Sequence, residues 1–532
     1  MSKDRRKKTT PSRSKPERVL SPGLRNYLYI TAAVCGAAVL IVEILGAKML
    51  SPYFGTSHFV WTAQIAVTLV SLAIGYWFGG WLVDRSTRLK RLYVCILIAA
   101  VYLCLTVPLC RPVAERCLEL RLALGSLLTS MFLFFIPLAL LATVGPFLVR
   151  VMTASMNVVG SQVGRLTAIS TAGSVAGTIL IGYSLIPFFP NSVTMLCTAA
   201  ILLTLVVIYF ILWGKGQGVV VTAVMVFLAG LGIGWWGVGV DARLQVPDVI
   251  ELERCNSNFG LMQVIEAANP PSRVYYNDYL CQNGIDPQTK QSLHTFTYLL
   301  YGLARAYTEK IENALCIGMG VGIVPMQLSR EGVKVDVVEI NPAVVPLARR
   351  YFEFDPGRVR LFFDDGRHFL NDCQRRYDTV ILDAFLGDSS PSHLMTQEAF
   401  TAMRAVLKPG GTLVINTFGN LEQGKDFSAA SLEKTLRAVF KSVKVHAESP
   451  DGNIFFAASD RKELTFLREP DQTNVHSHVA GQVAAAFKGV MQSDPNHGRV
   501  LTDDFNPVEY YDAANREKLR RRLALVMNPH SH

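Results

Sequence analysis

The sequence is short of charge: 18% of its 532 residues are Asp, Glu, Lys or Arg, against 50% hydrophobic. The shortage is uneven. Residues 27 to 240 hold the long uncharged runs, whereas residues 241 to 532 carry the mixed charge of a globular domain. A soluble enzyme throughout is excluded, and the chain divides into a membrane half and a soluble half. Also lacking is any CxxC pair among the ten cysteines. Cys35, Cys95, Cys104, Cys110, Cys117 and Cys197 fall in the membrane half, leaving Cys255, Cys281, Cys316 and Cys373 for the rest. Neither a disulfide framework nor a metal site is expected, and Cys316 reads as a buried, inert thiol. The short apolar core and small-residue cleavage site of a signal peptide are missing too, so the first apolar run is expected to stay in place.

Much of the net charge of +10 sits in residues 1–26, which hold nine Lys or Arg against two acids. This basic, Pro- and Ser-rich tail has too little apolar surface to fold alone and is expected to be disordered. It lacks interleaved aromatics for stacking on bases, so it reads as a cytoplasmic anchor under the positive-inside rule and no nucleic-acid partner is expected. Apolar runs follow near residues 27–50, 58–83, 91–110, 122–152, 161–187, 191–213 and 218–240. Each is long enough to cross a hydrocarbon core of about 30 Å. The fourth, 31 residues long, carries Pro137 and Pro146 and is expected to tilt or kink.

The basic loop Asp84–Arg91 agrees with the tail on a cytoplasmic N-terminus, and Lys215 agrees weakly. Seven crossings would then place the soluble half outside, against the needs of a nucleotide-like ligand made inside the cell. Either one run does not cross, the Gly- and Trp-rich last one being the candidate, or the domain faces outward; the ligand chemistry favours the cytoplasm. Gly160, Gly164, Gly173 and Gly177, at and near four-residue spacing, are expected to let helices approach closely. Glu43, inside VLIVEILGA, is costly in a membrane unless paired or wet. It marks a substrate or proton path, or pairs with Lys48 or Arg150.

The soluble half carries an ordered set of strand ends. ALCIGMGVG runs from an apolar stretch into Gly318, Gly320 and Gly322, where the backbone can turn sharply and approach a ligand. KVDVVEI ends in Glu339, 21 residues beyond Gly318, near the spacing of an acid that binds ribose hydroxyls. VRLFFDDGRHFL brings Asp364, Asp365 and Gly366, and YDTVILDAF brings Asp383. Acids on successive strand ends describe one crevice at the carboxyl edge of a parallel sheet. KPGGTLVIN then reads as a turn into a fifth strand, and VFKSVKVHAES with NIFFAAS as a terminal antiparallel pair. Alone, any one of these acids could equally be a helix cap.

Five strand–helix units closed by a hairpin form the sheet of the class I methyltransferases and their relatives. Here the chain resembles the membrane-fused spermidine synthase-like family of polyamine aminopropyltransferases. SNFGLMQVIE, RVYYNDYLCQNGIDPQTKQSLHTFTYLL, IGMGVG, VVEINP, DDGRHFL, LDAF and LTDDFNPVE carry the resemblance across the soluble half, and AKMLSPYFGTS with GGWLVDR extends it into the membrane half. The resemblance implies a multi-pass α-helical membrane domain (27–240) followed by a Rossmann-like α/β spermidine synthase domain (241–532). It implies transfer of an aminopropyl group from decarboxylated S-adenosylmethionine to an amine such as putrescine, without a metal. Gly318, Gly320, Gly322 and Gly366 would line the donor site, Glu339 would bind the ribose, and Asp365 the adenine amino group. Gln282 would contact substrate, and Asp383 would orient the amine and receive its proton.

The departures bear on substrate. The family's acid inside the glycine loop is Val321 here, its paired acids before the first core helix fall on Ser292, Leu293, Thr297 and Tyr298, and its second acid after the catalytic one falls on Leu386, with Asp388 two residues beyond. A pocket without those acids should bind polycations poorly. Two alternatives stay open: a methyltransferase using intact S-adenosylmethionine, which a cationic residue near Val321 would favour, and a transporter with a nucleotide-like sensor domain. Asp364 reads as a turn acid, Asp503 and Asp504 as caps or crevice residues, and His294 and His393 as structural. The expected partners are a small-molecule amine and membrane lipid; self-association into a homo-oligomer is left open.

Overall fold

The computed structural model describes residues 20–55, 58–153, 159–214, 216–241, 248–278, 280–385, 391–449, 451–491, 493–494, 496–511 and 518. Most of the basic tail, Lys215, Leu386 and Asp388 lie outside them. The membrane half comprises α1 (Pro22–Phe54), α2 (His58–Arg85), α3 (Leu89–Cys117), α4 (Leu122–Ala142), α5 (Val144–Met152), α6 (Val159–Leu180), α7 (Ile186–Phe188), α8 (Asn191–Trp213) and α9 (Gln217–Asp241). Among the described residues these make seven helical stretches long and apolar enough to cross a membrane, the last, Gln217–Gly239, included. The chain is a multi-pass membrane protein.

Proline sets the irregularities. The fourth stretch breaks at Thr143, between α4 and α5, because Pro146 cannot donate to the Ala142 carbonyl four residues back. In the fifth, a π-helical turn, Ile181–Leu185, precedes Pro187. α1 is the hub of the bundle and packs most extensively on α6. Gly173 and Gly177 of α6 press against the backbone of Ala33 and Ala37 of α1, as close packing requires, whereas Gly160 and Gly164 face open space. Half of the glycine series therefore serves this contact. The pairing of Glu43 with Lys48 or Arg150 is not formed among the described residues.

The soluble half opens with an antiparallel sheet, β1 (Val249–Ser257), β2 (Gly260–Ala267), β3 (Ser272–Asn277) and β4 (Leu280–Ile285), in that spatial order. Helix α10 (Thr295–Tyr307) leads into an eight-stranded sheet: β5 (Asn313–Ile317), β6 (Lys334–Glu339), β7 (Arg360–Phe363), β8 (Tyr377–Leu382), β9 (Leu407–Asn420), β10 (Ser442–Ala447), β11 (Asp451–Ser459) and β12 (Val490–Met491). Its order is β12-β10-β11-β9-β8-β5-β6-β7. The strands from β9 to β7 run parallel, and β11 and β10 close the sheet antiparallel. The expected turn before the fifth strand is absorbed into β9, whose Gly410 has a φ of 77°. The two-residue edge strand β12 gives no sequence signal of its own.

Strand β5 shows why its sequence is an unbroken apolar run. Ala314 and Cys316 enter the core on one face of the sheet, Leu315 and Ile317 the core on the other, and all four are at most 2% exposed. Helices α11 (Ile323–Arg330), α12 (Val344–Tyr351) and α13 (Gly366–Asp372) follow β5, β6 and β7, and so begin at the carboxyl edge of the sheet.

The two halves meet where α1 ends. Ser51 Oγ donates to Asp278 Oδ2, in the β3–β4 turn, at 3.5 Å. A small cavity of about 60 Å³ beside this contact is lined by Tyr53, Cys110 and Asn191 from the helices and by Arg254 and Asp278 from the sheet.

Candidate active site

The carboxyl edge of the large sheet bounds a cavity of about 270 Å³. β5 lies between β6 and β8, so the chain reverses its direction of travel across the sheet there, and a crevice opens outside the strand ends. The cavity gathers Gln282, Gly318, Gly320, Glu339, Asp365, Gly366 and Asp383, seven of the eight residues the sequence nominates. Gly322 is the exception. It caps the start of α11 with the Phe354 ring where a Cβ would be, so its place is in the turn behind the cavity wall.

The glycine loop is held by close approaches that a side chain would block. Gly318 (φ 87°) abuts the backbone of Asp383, and Gly320 (φ 55°) abuts Asn283 Oδ1, which itself accepts from the Val321 N–H at 3.1 Å. Val321 is fully buried. Glu339 crosses from the end of β6, accepting from Met319 N–H at 2.9 Å through one oxygen and from Asn341 N–H at 2.8 Å through the other. Burial pushes its carboxyl up, and those backbone donors pull the other way. Each oxygen keeps lone-pair capacity toward the cavity.

Asp365 is the N-cap of α13, accepting from the N–H groups of Arg367 and His368, and its second oxygen meets His393 Nε2 at 2.9 Å. Burial raises its carboxyl, but His393 and the backbone donors outweigh it and leave the group below its usual value. Asp364 also lines the cavity, where it pairs with His368 at 2.7 Å.

Asp383 stands at the end of β8, next to the glycine loop of β5. Burial pushes its carboxyl up to about 6, opposed by the Asn416 amide, which donates to Oδ1 at 2.9 Å. Asn416 is 2% exposed, and its own Oδ1 is buried with no hydrogen-bond partner among the described residues. A donor from a ligand would satisfy it. On the opposite wall His294 Nε2 lies 3.4 Å from Cys281 Sγ; burial lowers the imidazole to about 4 and raises the thiol to about 12, so both are neutral.

Four carboxylates line the cavity, and no Lys or Arg does among the described residues. No group of three or more His, Cys, Asp or Glu suited to a metal ion occurs among the described residues either. Asp503 is tied to Arg367 and Thr396 away from the cavity, and Asp504 is exposed. Ser292, Thr297 and Tyr298 pin the turn into α10 through hydrogen bonds to one another's neighbourhood, Tyr298 OH to Ser292 O at 2.9 Å and Thr297 Oγ1 to His294 O at 3.0 Å.

The spermine/spermidine synthase domain pattern matches residues 294–449, the stretch from His294 through β10. A polyamine aminopropyltransferase from Vibrio vulnificus is 36% identical over 242 residues, which cover 42% of this chain and 77% of that protein. The chain belongs to the spermine/spermidine synthase family. The matched stretch 294–449 lies in the soluble half, and the bundle of apolar helices precedes it in the chain. The chain is also 28% identical over 183 residues to an N-terminal histidine N-methyltransferase from Emericella nidulans, a match covering 32% of each chain. A probable spermidine synthase from Corynebacterium glutamicum superimposes with a TM-score of 0.40 at 17% identity, over 49% of this chain and 98% of that one.

Sequence reasoning missed Asn283, His294, His393 and Asn416 as cavity residues. Asn283 and Asn416 lie inside strands β4 and β9, where an amide with no charge partner leaves no pattern. His393 sits 28 residues from Asp365 in the chain, so nothing local joins them.

Proposed function

We propose that the protein is a membrane-anchored polyamine aminopropyltransferase, using decarboxylated S-adenosylmethionine as donor and a primary amine as acceptor. The observation that carries this reading is the charge of the cavity: four carboxylates and, among the described residues, no Lys or Arg. A decarboxylated donor brings a sulfonium and an ammonium and no carboxylate, so it matches that field; an intact donor would bring a carboxylate that nothing there offsets.

Glu339 accepts from the ribose hydroxyls while its backbone bonds hold it in place. The adenine edge lies toward Asp365 and Gly366, and the bare backbone at Gly318 and Gly320 lets the sulfonium arm pass close to Asp383. The acceptor nitrogen attacks the carbon beside the sulfonium only when deprotonated. Asp383 orients the nitrogen and takes its proton, and the Asn416 Oδ1 accepts a second N–H. A carboxyl near 6 is ionised at neutral pH yet basic enough to share that proton. Holding nucleophile and donor in line supplies a large share of the rate, on the order of 7–11 kcal/mol where alignment is good. Gln282, which lines the cavity from β4, would contact the amine.

The test is release of methylthioadenosine from decarboxylated S-adenosylmethionine by the purified full-length protein in the presence of amines. Release that depends on both amine and Asp383 supports the reading. Methyl transfer from intact S-adenosylmethionine, with no release from the decarboxylated donor, would replace it.

A further inference from the structure

Two segments face each other where the cavity meets the start of α13. On one side stand Asp365 and Gly366; on the other are Pro391, His393 and Leu394, which also line the cavity. Gly366 lets the sides approach, because a Cβ there would meet Leu394 Cδ2 at 3.4 Å. His393 joins them, its Nε2 lying 2.9 Å from Asp365 Oδ2.

That contact completes the hold on the Asp365 carboxylate. Oδ1 is committed to the helix cap, accepting from Arg367 N–H at 2.8 Å and His368 N–H at 3.2 Å. Oδ2 accepts from His393, whose Nε2 must carry the proton because a carboxylate has none to give. The terminal torsion of an aspartate is broad, so donors on both oxygens are needed to fix its plane. Oδ2 then keeps one lone-pair direction for a ligand N–H. Burial raises the Asp365 carboxyl, and the His393 hydrogen bond is the largest of the influences that bring it below its usual value. The group is a fixed, ionised acceptor at neutral pH.

The LTDDFNPVE stretch braces both sides of this slot. Asn506 Nδ2 donates to Ser392 O at 2.9 Å, and Leu501 O accepts from Gln397 N–H at 2.8 Å. Asp503 accepts from Thr396 Oγ1 at 2.6 Å and from Arg367, in the first turn of α13, at 3.0 Å. The segment that carries His393 and the helix that Asp365 caps are therefore tied to one piece of chain.

An ionised carboxylate at the edge of a purine selects what stands at carbon 6. The amino group of adenine donates to it. The oxo group of hypoxanthine presents a lone pair instead, and the buried acceptor is left unpaired.

We propose that His393 is a positioning residue for base recognition, holding Asp365 as the acceptor that selects a 6-aminopurine nucleoside over its 6-oxo counterpart. This rests on the adenosyl-donor reading above and adds the residue that sets its base specificity. His393 acts through Asp365 and takes no part in the transfer at Asp383.

The experiment titrates the full-length protein with methylthioadenosine and methylthioinosine, which carry an amino and an oxo group at carbon 6, by calorimetry. The unmodified protein is expected to bind methylthioadenosine at least about tenfold more tightly, as a hydrogen bond to a charged group warrants. His393→Phe keeps a ring but removes the N–H. It is expected to weaken methylthioadenosine by about tenfold and leave methylthioinosine within about twofold, so that the preference collapses. His393→Gln, whose amide nitrogen reaches the place of Nε2, is expected to keep most of the preference. In turnover, His393→Phe should raise the KM for the decarboxylated donor by about tenfold and leave kcat within about twofold.

A parallel loss of both nucleosides in His393→Phe would assign His393 to packing alone and overturn the proposal. An unchanged preference in His393→Phe, or a His393→Gln variant as impaired as His393→Phe, would overturn it too. Methylthioadenosine release by the unmodified protein would in those cases leave aminopropyl transfer standing. Binding of neither nucleoside by the unmodified protein would overturn the adenosyl-donor reading as well.

Discussion

Replacing Asp383 by Asn isolates the cost of keeping a carboxyl in this cavity. A rise from 3.8 to about 6 is about 2 units, or about 3 kcal/mol at 1.36 kcal/mol per unit. The folded group has the higher value, so between about pH 4 and pH 6 the folded chain holds a proton that the unfolded chain has released, and stability falls as pH rises. Above that window the whole cost is present. The isosteric amide does not titrate, so Asp383→Asn should stabilise the ligand-free protein by about 3 kcal/mol at pH 7.5 and by less than about 1 kcal/mol at pH 4. For a domain of this size that corresponds to a midpoint rise on the order of 6–12 °C at the higher pH. Alkylation of Cys316, 1% exposed in β5, reports unfolding of the soluble half specifically and can be followed by peptide mass spectrometry. The same variant should lose about 10²–10⁴ in turnover, and the wild-type kcat/KM should decline below about pH 6 as Asp383 takes up its proton. An equal gain in stability at both pH values, or none, would show that the carboxyl is not held up by burial.

Glu339→Gln keeps the shape of the side chain but removes the charge that the ribose hydroxyls would meet; donor affinity measured by calorimetry should fall by about tenfold to a hundredfold, or 1.5–3 kcal/mol. Gly320→Ala sets a methyl against Asn283 Oδ1 at a φ of 55°, so it should cost about 1–3 kcal/mol in the same alkylation melt and weaken donor binding further. With all seven stretches crossing, the Ser51–Asp278 contact at the far end of α1 would put the Ser86–Arg88 turn and the soluble domain on opposite faces of the membrane. Impermeant thiol reagents on single cysteines introduced at Ser86 and at Gln423 should therefore label from opposite sides, and labelling from one side would show that a span does not cross.

The frame of the molecule was legible because it rests on period and length. Seven apolar runs became seven helical stretches, and the glycine loop, Glu339, Asp365 and Asp383 fell on neighbouring strand ends as alternation of strand and helix requires. What stayed hidden depends on contacts between distant segments. His393 reaches Asp365, and Asn416 reaches Asp383 from a neighbouring strand in register, Leu382 opposite Ile415. Gly322 shared the loop's spacing but not its exposure, because Phe354 covers it. Cysteine and histidine in the wall, Cys281 and His294, are neutral through burial, a property that only the packed structure assigns. The glycine series of α6 likewise divided according to which residues face α1.

Calorimetric titration of the full-length protein with decarboxylated and intact S-adenosylmethionine, alongside Asp383→Ala and Glu339→Ala, tests the donor most directly. A cavity with four carboxylates and, among the described residues, no Lys or Arg should bind the decarboxylated donor more tightly. That binding should be lost in Glu339→Ala and largely kept in Asp383→Ala. Tighter binding of the intact donor, or binding indifferent to Glu339, would contradict aminopropyl transfer at this site.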